Sequence, residues 1–220
     1  LIADGIIQTA AEAAAAPQFA DYTTVGHYKY RDLNGDGLIT MDKDRTIIGD
    51  PHPKFVGGLN VDLGYGNFDL NMFFYGSYGN ELINYVSRWI DYGQFVGGLS
   101  QDALHDTWTP SNTGARLPKL DGASRSQEAS TAFIEDGSFL RLKTTRLGYT
   151  LPESVLAKVK LKSLRVYLQA TNLFTLTKYR GLDPEVNTLS NTAGEGNRMG
   201  VDKGSWPTPR QITLGLTLGL

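Results

Sequence analysis

Cysteine is absent from the 220 residues. That removes disulfide frameworks, thiolate metal sites and cysteine nucleophiles together. It leaves the compartment open, because oxidising locations permit disulfides without requiring them. No run of eighteen apolar residues exists, so a helical membrane span is excluded. A membrane β-barrel is not, because its strands alternate apolar and polar positions. An excess of one charge is missing too, with 21 Lys and Arg against 23 Asp and Glu. The basic surplus of nucleic-acid-binding domains is therefore lacking, and no nucleic-acid partner is expected. The chain opens on Leu1 and carries no signal peptide. It is expected to be a processed product or a piece of something longer.

What is present is alternation with a period of two. Leu59, Val61, Leu63 and Tyr65 alternate with Asn60, Asp62 and Gly64. Gly66 and Asn67 follow as a two-residue turn signal, and Phe68, Leu70, Met72 and Phe74 then resume the apolar phase. This spacing predicts a hairpin of strands 55–65 and 68–78. A third strand is expected at 138–151, with a slip of phase near Thr144 that suggests a bulge. A fourth is expected at 163–173, where Leu164, Val166, Leu168 and Ala170 alternate with polar residues. The fifth, at 210–220, places Ile212, Leu214, Leu216 and Leu218 on one face and Thr213, Gly215 and Thr217 on the other. Outside these strands, residues 10–16 are alanine-rich up to Pro17 and suit a helical turn or two or a loop. A short amphipathic piece is expected within 82–92, and residues 152–162 read as a connector.

The connections alternate in length. About two residues join the hairpin, nearly sixty lie at 79–137, about eleven at 152–162 and about thirty-five at 174–209. Outer-membrane barrels have short periplasmic turns and long extracellular loops. With the C-terminus in the periplasm, every long segment, including residues 1–54, falls on the outer side. Five strands cannot close a barrel, since closure takes about eight. The expected fold is therefore all-β: the C-terminal strands of a large transmembrane antiparallel barrel, present as a fragment. In this reading Ile212, Leu214, Leu216 and Leu218 face outer-membrane lipid.

Few stretches carry chemistry. Asp32-Leu33-Asn34-Gly35-Asp36-Gly37 matches the opening of an EF-hand-type loop. In such loops oxygens at alternate positions converge on one hard cation, and glycine permits the sharp turn. Asp32, Asn34, Asp36, Thr40 and Asp44 are the candidate calcium ligands. The twelfth position, where a bidentate glutamate belongs, is Lys43, and the same residues also suit an Asx-rich turn closed by side-chain-to-backbone bonds. His27, His52 and His105 have no metal spacing. Asp183 and Glu185 form the kind of acidic pair that glycosidases use, but no companion constellation surrounds them. No catalytic site is expected. Trp89, Trp108, Trp206 and Tyr179 lie in or beside the long loops, where aromatic faces suit substrate or partner contact, or ordinary packing.

Four longer stretches carry a resemblance. They are Tyr30 to Gly37 leading to Asp44–Pro51; Pro53 to Asn60 with Tyr65 to Leu70 and Gly76 to Asn80; Glu135 to Lys143 with Leu147 to Pro152; and Arg165 to Tyr167 with Asn172 to Glu185, closing on Pro207-Thr208-Pro209-Arg210. Over roughly residues 28–220 the chain resembles the C-terminal region of SusC/RagA-type TonB-linked outer-membrane proteins. The resemblance implies a plugged barrel of the 22-stranded class. It also implies active import of glycan fragments or peptides across the outer membrane of a Gram-negative, Bacteroidetes-type cell. A SusD-like lipoprotein would serve as lid, and energy would come from the TonB complex through parts lying outside this chain. It implies no enzyme activity and no cofactor besides the calcium already raised. Two other readings compete: a calcium-binding surface adhesion or scaffold module resting on Asp32 to Asp36, and a β-rich glycosidase fragment using Asp183 or Glu185.

Overall fold

The computed structural model describes residues 1–93, 98–121, 124–159, 161–186 and 199–219. Leu220 at the end of the expected last strand and residues 187–198 of the 174–209 loop lie outside them. In chain order the strands are β1 Ala3–Ile6, β2 Tyr28–Tyr30, β3 Phe55–Tyr65, β4 Phe68–Tyr78, β5 Glu81–Asn84, β6 Ile134–Asp136, β7 Phe139–Thr150, β8 Ser163–Thr171, β9 Thr175–Thr177, β10 Val201–Asp202 and β11 Gln211–Gly219. The helices are short: α1 Ala10–Ala15, α2 Tyr85–Ile90, α3 Gln101–His105 and α4 Glu153–Val159. No helix among the described residues is long and apolar enough to cross a membrane.

The chain divides into two compact units, Leu1–Pro51 with Glu81–Glu135 and Val186–Gly204, and His52–Asn80 with Asp136–Glu185 and Ser205–Leu220. The second unit is an antiparallel sheet in the order β11-β8-β7-β4-β3. The alternating segments supply it as expected. Gly66, at φ +57°, opens the two-residue turn between β3 and β4, a conformation with no steric cost for glycine. The slip of phase in β7 is a bulge. Thr144 pairs with Phe73 but Leu142 pairs with Phe74, so Lys143 is the extra residue. Opposite it, Asn172 takes a left-handed conformation at φ +50° and donates its amide to the Lys143 carbonyl. Asparagine is among the few residues that tolerate this. Pairing then continues through β9, three residues beyond the point where the alternation implies a loop. The connector at 152–162 is partly helical, as α4, because Pro152 and Glu153 suit a first turn and the residues that follow are mostly good helix formers.

The first unit is built from the segments that the alternation leaves blank. Its core is aromatic, with Phe19, Tyr22, Tyr28, Tyr30 and Phe133 packed around Leu117. The Tyr28 and Tyr92 hydroxyls hydrogen-bond at 2.7 Å across 64 residues of sequence. Residues 79–137 are thus mostly ordered packing against the N-terminal segment and not a free loop. α1 begins at Thr9, whose side chain accepts from the Glu12 amide, and ends before Pro17, which cannot continue a helix.

A two-faced strand wall and a buried arginine anchor

Register decides what the sheet presents. Across five strands the pairings run Leu63, Leu70, Leu147, Leu168, Leu214 in one row. The next row towards the β3–β4 turn is Tyr65, Phe68, Tyr149, Val166, Leu216. The row on the other side is Val61, Met72, Thr145, Ala170, Ile212. Side chains alternate across a sheet, so these rows share one face. Without the bulge at Lys143, Leu140 and Leu142 would fall on the opposite side from Leu147. Ile212, Leu214, Leu216 and Leu218 are 59–72% exposed, and Leu63, Tyr65, Phe68, Leu147 and Leu168 among their row partners are exposed as well. This face is therefore apolar, continuous and uncovered in the described residues.

The other face is polar. Asp62, Asn71, Arg146, Gln169 and Thr213 form one row, and Gly64, Asp69, Gly148, Tyr167 and Gly215 the next. Arg165 on β8 reaches across β7 to form an ion pair with Asp69 on β4. It passes over Gly148, where a Cβ would strike both partners. Asn71 donates to Asp62 at 2.6 Å, and the Arg146 guanidinium lies over the Tyr167 ring.

Near the β9 end of the same face, Arg141 is buried, at 3% exposure, and forms the best-connected polar site of the unit. Its Nε donates to Thr175 at 2.8 Å. Its Nη1 donates to Glu185 at 2.8 Å and Thr208 at 3.2 Å, and its Nη2 to Asp183 at 2.5 Å. Lys143 also donates to Glu185. Two cations thus meet two carboxylates with most donors satisfied, the arrangement a buried ion pair needs. Asp183 further accepts from the Glu185 and Thr208 amides and the Thr208 hydroxyl. Burial alone would raise its carboxyl, but these hydrogen bonds outweigh it and hold the pKa down at about 2. The anchor ties the segment after β9 and the approach to β11 onto β7. Sequence reasoning separated Arg141 from its acids. A lone arginine in an otherwise apolar strand end and an acid pair 42 residues later are the signal that could have joined them.

The glycosidase reading of Asp183 and Glu185 is thereby corrected, because both carboxylates are engaged by Arg141, and Glu185 by Lys143 as well. In the Asp32 turn the carboxylates point at backbone amides. Asp32 accepts from Asn34, Gly35 and Gly37. Asp36 accepts from the Leu38 amide, the Asn34 side chain and Lys43 at 2.8 Å, the lysine first among the causes that lower its pKa to about 2. Asp44 is fully buried and accepts from the Leu33 and Thr40 amides. Among the described residues no three His, Asp or Glu side chains are placed to share a metal ion. His27, His52 and His105 likewise form no such group. The loop aromatics fall into different environments. Trp108 and Tyr179 are buried, with the Trp108 indole donating to Gln8 at 2.8 Å. Their role is packing, which corrects the expectation that they present a face. Trp89 is half-buried against Tyr85, and Trp206 is 95% exposed.

A sheet with one apolar exposed face, one polar face and aromatic residues at its turn end is a segment of transmembrane β-barrel wall. Comparison with known proteins agrees. No protein-family model matches the chain. It is 40% identical over 190 residues to TonB-dependent receptor P3 of Formosa agariphila, covering 86% of this chain and 18% of that protein. It is 31% identical over 189 residues to TonB-dependent receptor SusC of Bacteroides thetaiotaomicron, covering 85% and 17%. The solved RagAB peptide importer in its "open-open" state matches with TM-score 0.68 and 29% identity, over 93% of this chain and 22% of that one. The chain is a segment of a SusC/RagA-type TonB-dependent receptor, and it spans about a fifth of the length of the relatives it matches.

Proposed function

We propose that this chain is part of an outer-membrane TonB-dependent importer of glycan fragments or peptides that works with a SusD-like surface lipoprotein. The observation that carries the reading is the register. Five strands keep their apolar residues in common rows on one exposed face, which a lipid-embedded wall requires and a soluble sheet would have to cover. On this reading Ile212, Leu214, Leu216 and Leu218 contact lipid, and the face with Asp69, Arg146 and Arg165 lines the barrel interior. The segments gathered in the first unit form the extracellular loops, where substrate and the lipoprotein meet the barrel. Contact with TonB belongs to parts of the transporter outside this chain. The setting is the outer membrane of a Gram-negative cell, and transport draws on no catalytic residue here.

The test begins with native cells. An antibody to residues 32–44 is used on fractionated membranes, with the reactive band run unheated and boiled. A large outer-membrane band that migrates faster unheated is the expected result. A soluble band of about 24 kDa without a heat shift would overturn the reading. Deleting the gene should then abolish uptake of at least one oligosaccharide or peptide mixture.

A further inference from the structure

The first unit contains a cavity of about 220 Å³ bounded by all three of its chain segments. That is below the ~300–1,000 Å³ of sites for drug-sized ligands, so it suits a single residue of a larger molecule. Ile48, Ile83, Phe133, Ile134 and Val201 make its walls apolar. Two cations, Arg88 and Lys203, also line it, and no Asp or Glu does.

Arg88 on α2 is held in place from its own helix. It donates to the Tyr85 hydroxyl at 3.1 Å, and its guanidinium lies over the Tyr85 ring at 5.2 Å. Its Nε is buried without a hydrogen-bond partner, and no ion pair among the described residues engages it. The guanidinium borders a cavity whose lining supplies no carboxylate, and an incoming one would pair with it through charge-assisted hydrogen bonds, about twice as strong as neutral ones, beside walls that exclude water. A sugar fits poorly. The lining has no Asn, Gln, Asp, Glu or Trp, its neutral hydrogen-bonding side chains are the Tyr85 and Ser130 hydroxyls, and the Arg88 guanidinium lies over the Tyr85 ring.

We propose that this cavity receives the C-terminal residue of an imported peptide, its apolar side chain against Ile83, Phe133 and Ile134 and its terminal carboxylate on Arg88. The proposal rests on the importer reading and narrows its substrate class to short peptides with an apolar end.

The experiment uses the full-length transporter that carries this chain, purified from outer membranes. Two fluorescently labelled pentapeptides ending in leucine, one with a free carboxylate and one amidated, are compared by anisotropy. The free acid should bind at least tenfold more tightly than the amide. Arg88→Gln should bring the acid to the level of the amide and leave the amide unchanged, and Arg88→Lys should restore part of the difference. Equal binding of acid and amide to the wild-type protein would overturn the proposal without any variant. So would an Arg88→Gln protein that keeps the heat-shifted band and the full acid preference. Uptake by cells with the gene deleted separates the two levels of inference. If peptide uptake and oligosaccharide uptake both survive deletion, the importer reading fails. If only oligosaccharide uptake is lost, or if peptide uptake depends on the gene while acid and amide bind alike, only the pocket proposal fails.

Discussion

At the scale of single residues, Arg141 and Asp183 set the strongest expectation. Asp183→Asn leaves a buried guanidinium short of a charge partner, and breaking one half of a buried pair costs about 3–5 kcal/mol. Thermal unfolding of the full-length protein, followed by loss of the heat-modifiable band, should shift down markedly. The double variant Arg141→Met with Asp183→Asn should recover part of the loss. A single variant as stable as wild type would show that the anchor carries no net energy. The pH dependence has a definite sign. The Asp183 carboxyl has a folded pKa of about 2, below its unfolded value of ~3.9. Its contribution is therefore present above about pH 4 and is lost as pH falls towards 2. His27 in the first unit behaves differently. It is buried beside Asp121, with Nε2 3.1 Å from Oδ2, and burial lowers its pKa despite the aspartate. The folded first unit thus resists protonation of His27. Stability linked to this group is full above ~6.5, the unfolded value, and declines as pH drops below it. His27→Gln should flatten that decline in a proteolysis assay of the first unit's segments.

At the scale of elements, β11 and its neighbours make the two faces testable. Leu216→Arg should cost up to ~2–4 kcal/mol in a membrane-refolding titration if the residue sits near the bilayer midplane. Thr217→Arg, one position along and facing the other way, should be tolerated. Equal penalties at both would refute the assignment of faces. The Asp32 turn is closed by its own hydrogen bonds. Asp44→Ala should therefore destabilise it by roughly 1–3 kcal/mol, the cost of stranding buried donors, with or without a chelator. A melting temperature that falls with EDTA alone would instead restore calcium to that turn. Alternation located the wall strands to within a residue or two because one face had to be apolar throughout. It did not find β9, since a left-handed Asn172 and the bulge at Lys143 break the phase there and leave no pattern to follow.

At the scale of the whole molecule, the sequence by itself determined the class of fold, the strand faces and the family resemblance, because each is carried by local order along the chain: period-two alternation, turn residues, motif spacing. Only the tertiary structure decided what the long connections do. The aromatic core of the first unit draws Phe19, Tyr28, Tyr92 and Phe133 from segments with no shared period, and a core built from distant residues leaves no repeat to read. The same reason hid the Arg141 anchor, whose partners lie 42 and 67 residues away, and the cavity beside Arg88, which three separate segments enclose. Burial also sorted the loop aromatics. Trp108 and Trp206 look alike in the sequence, but packing against Gln8 and Gly26 closes over the first and leaves the second in the open.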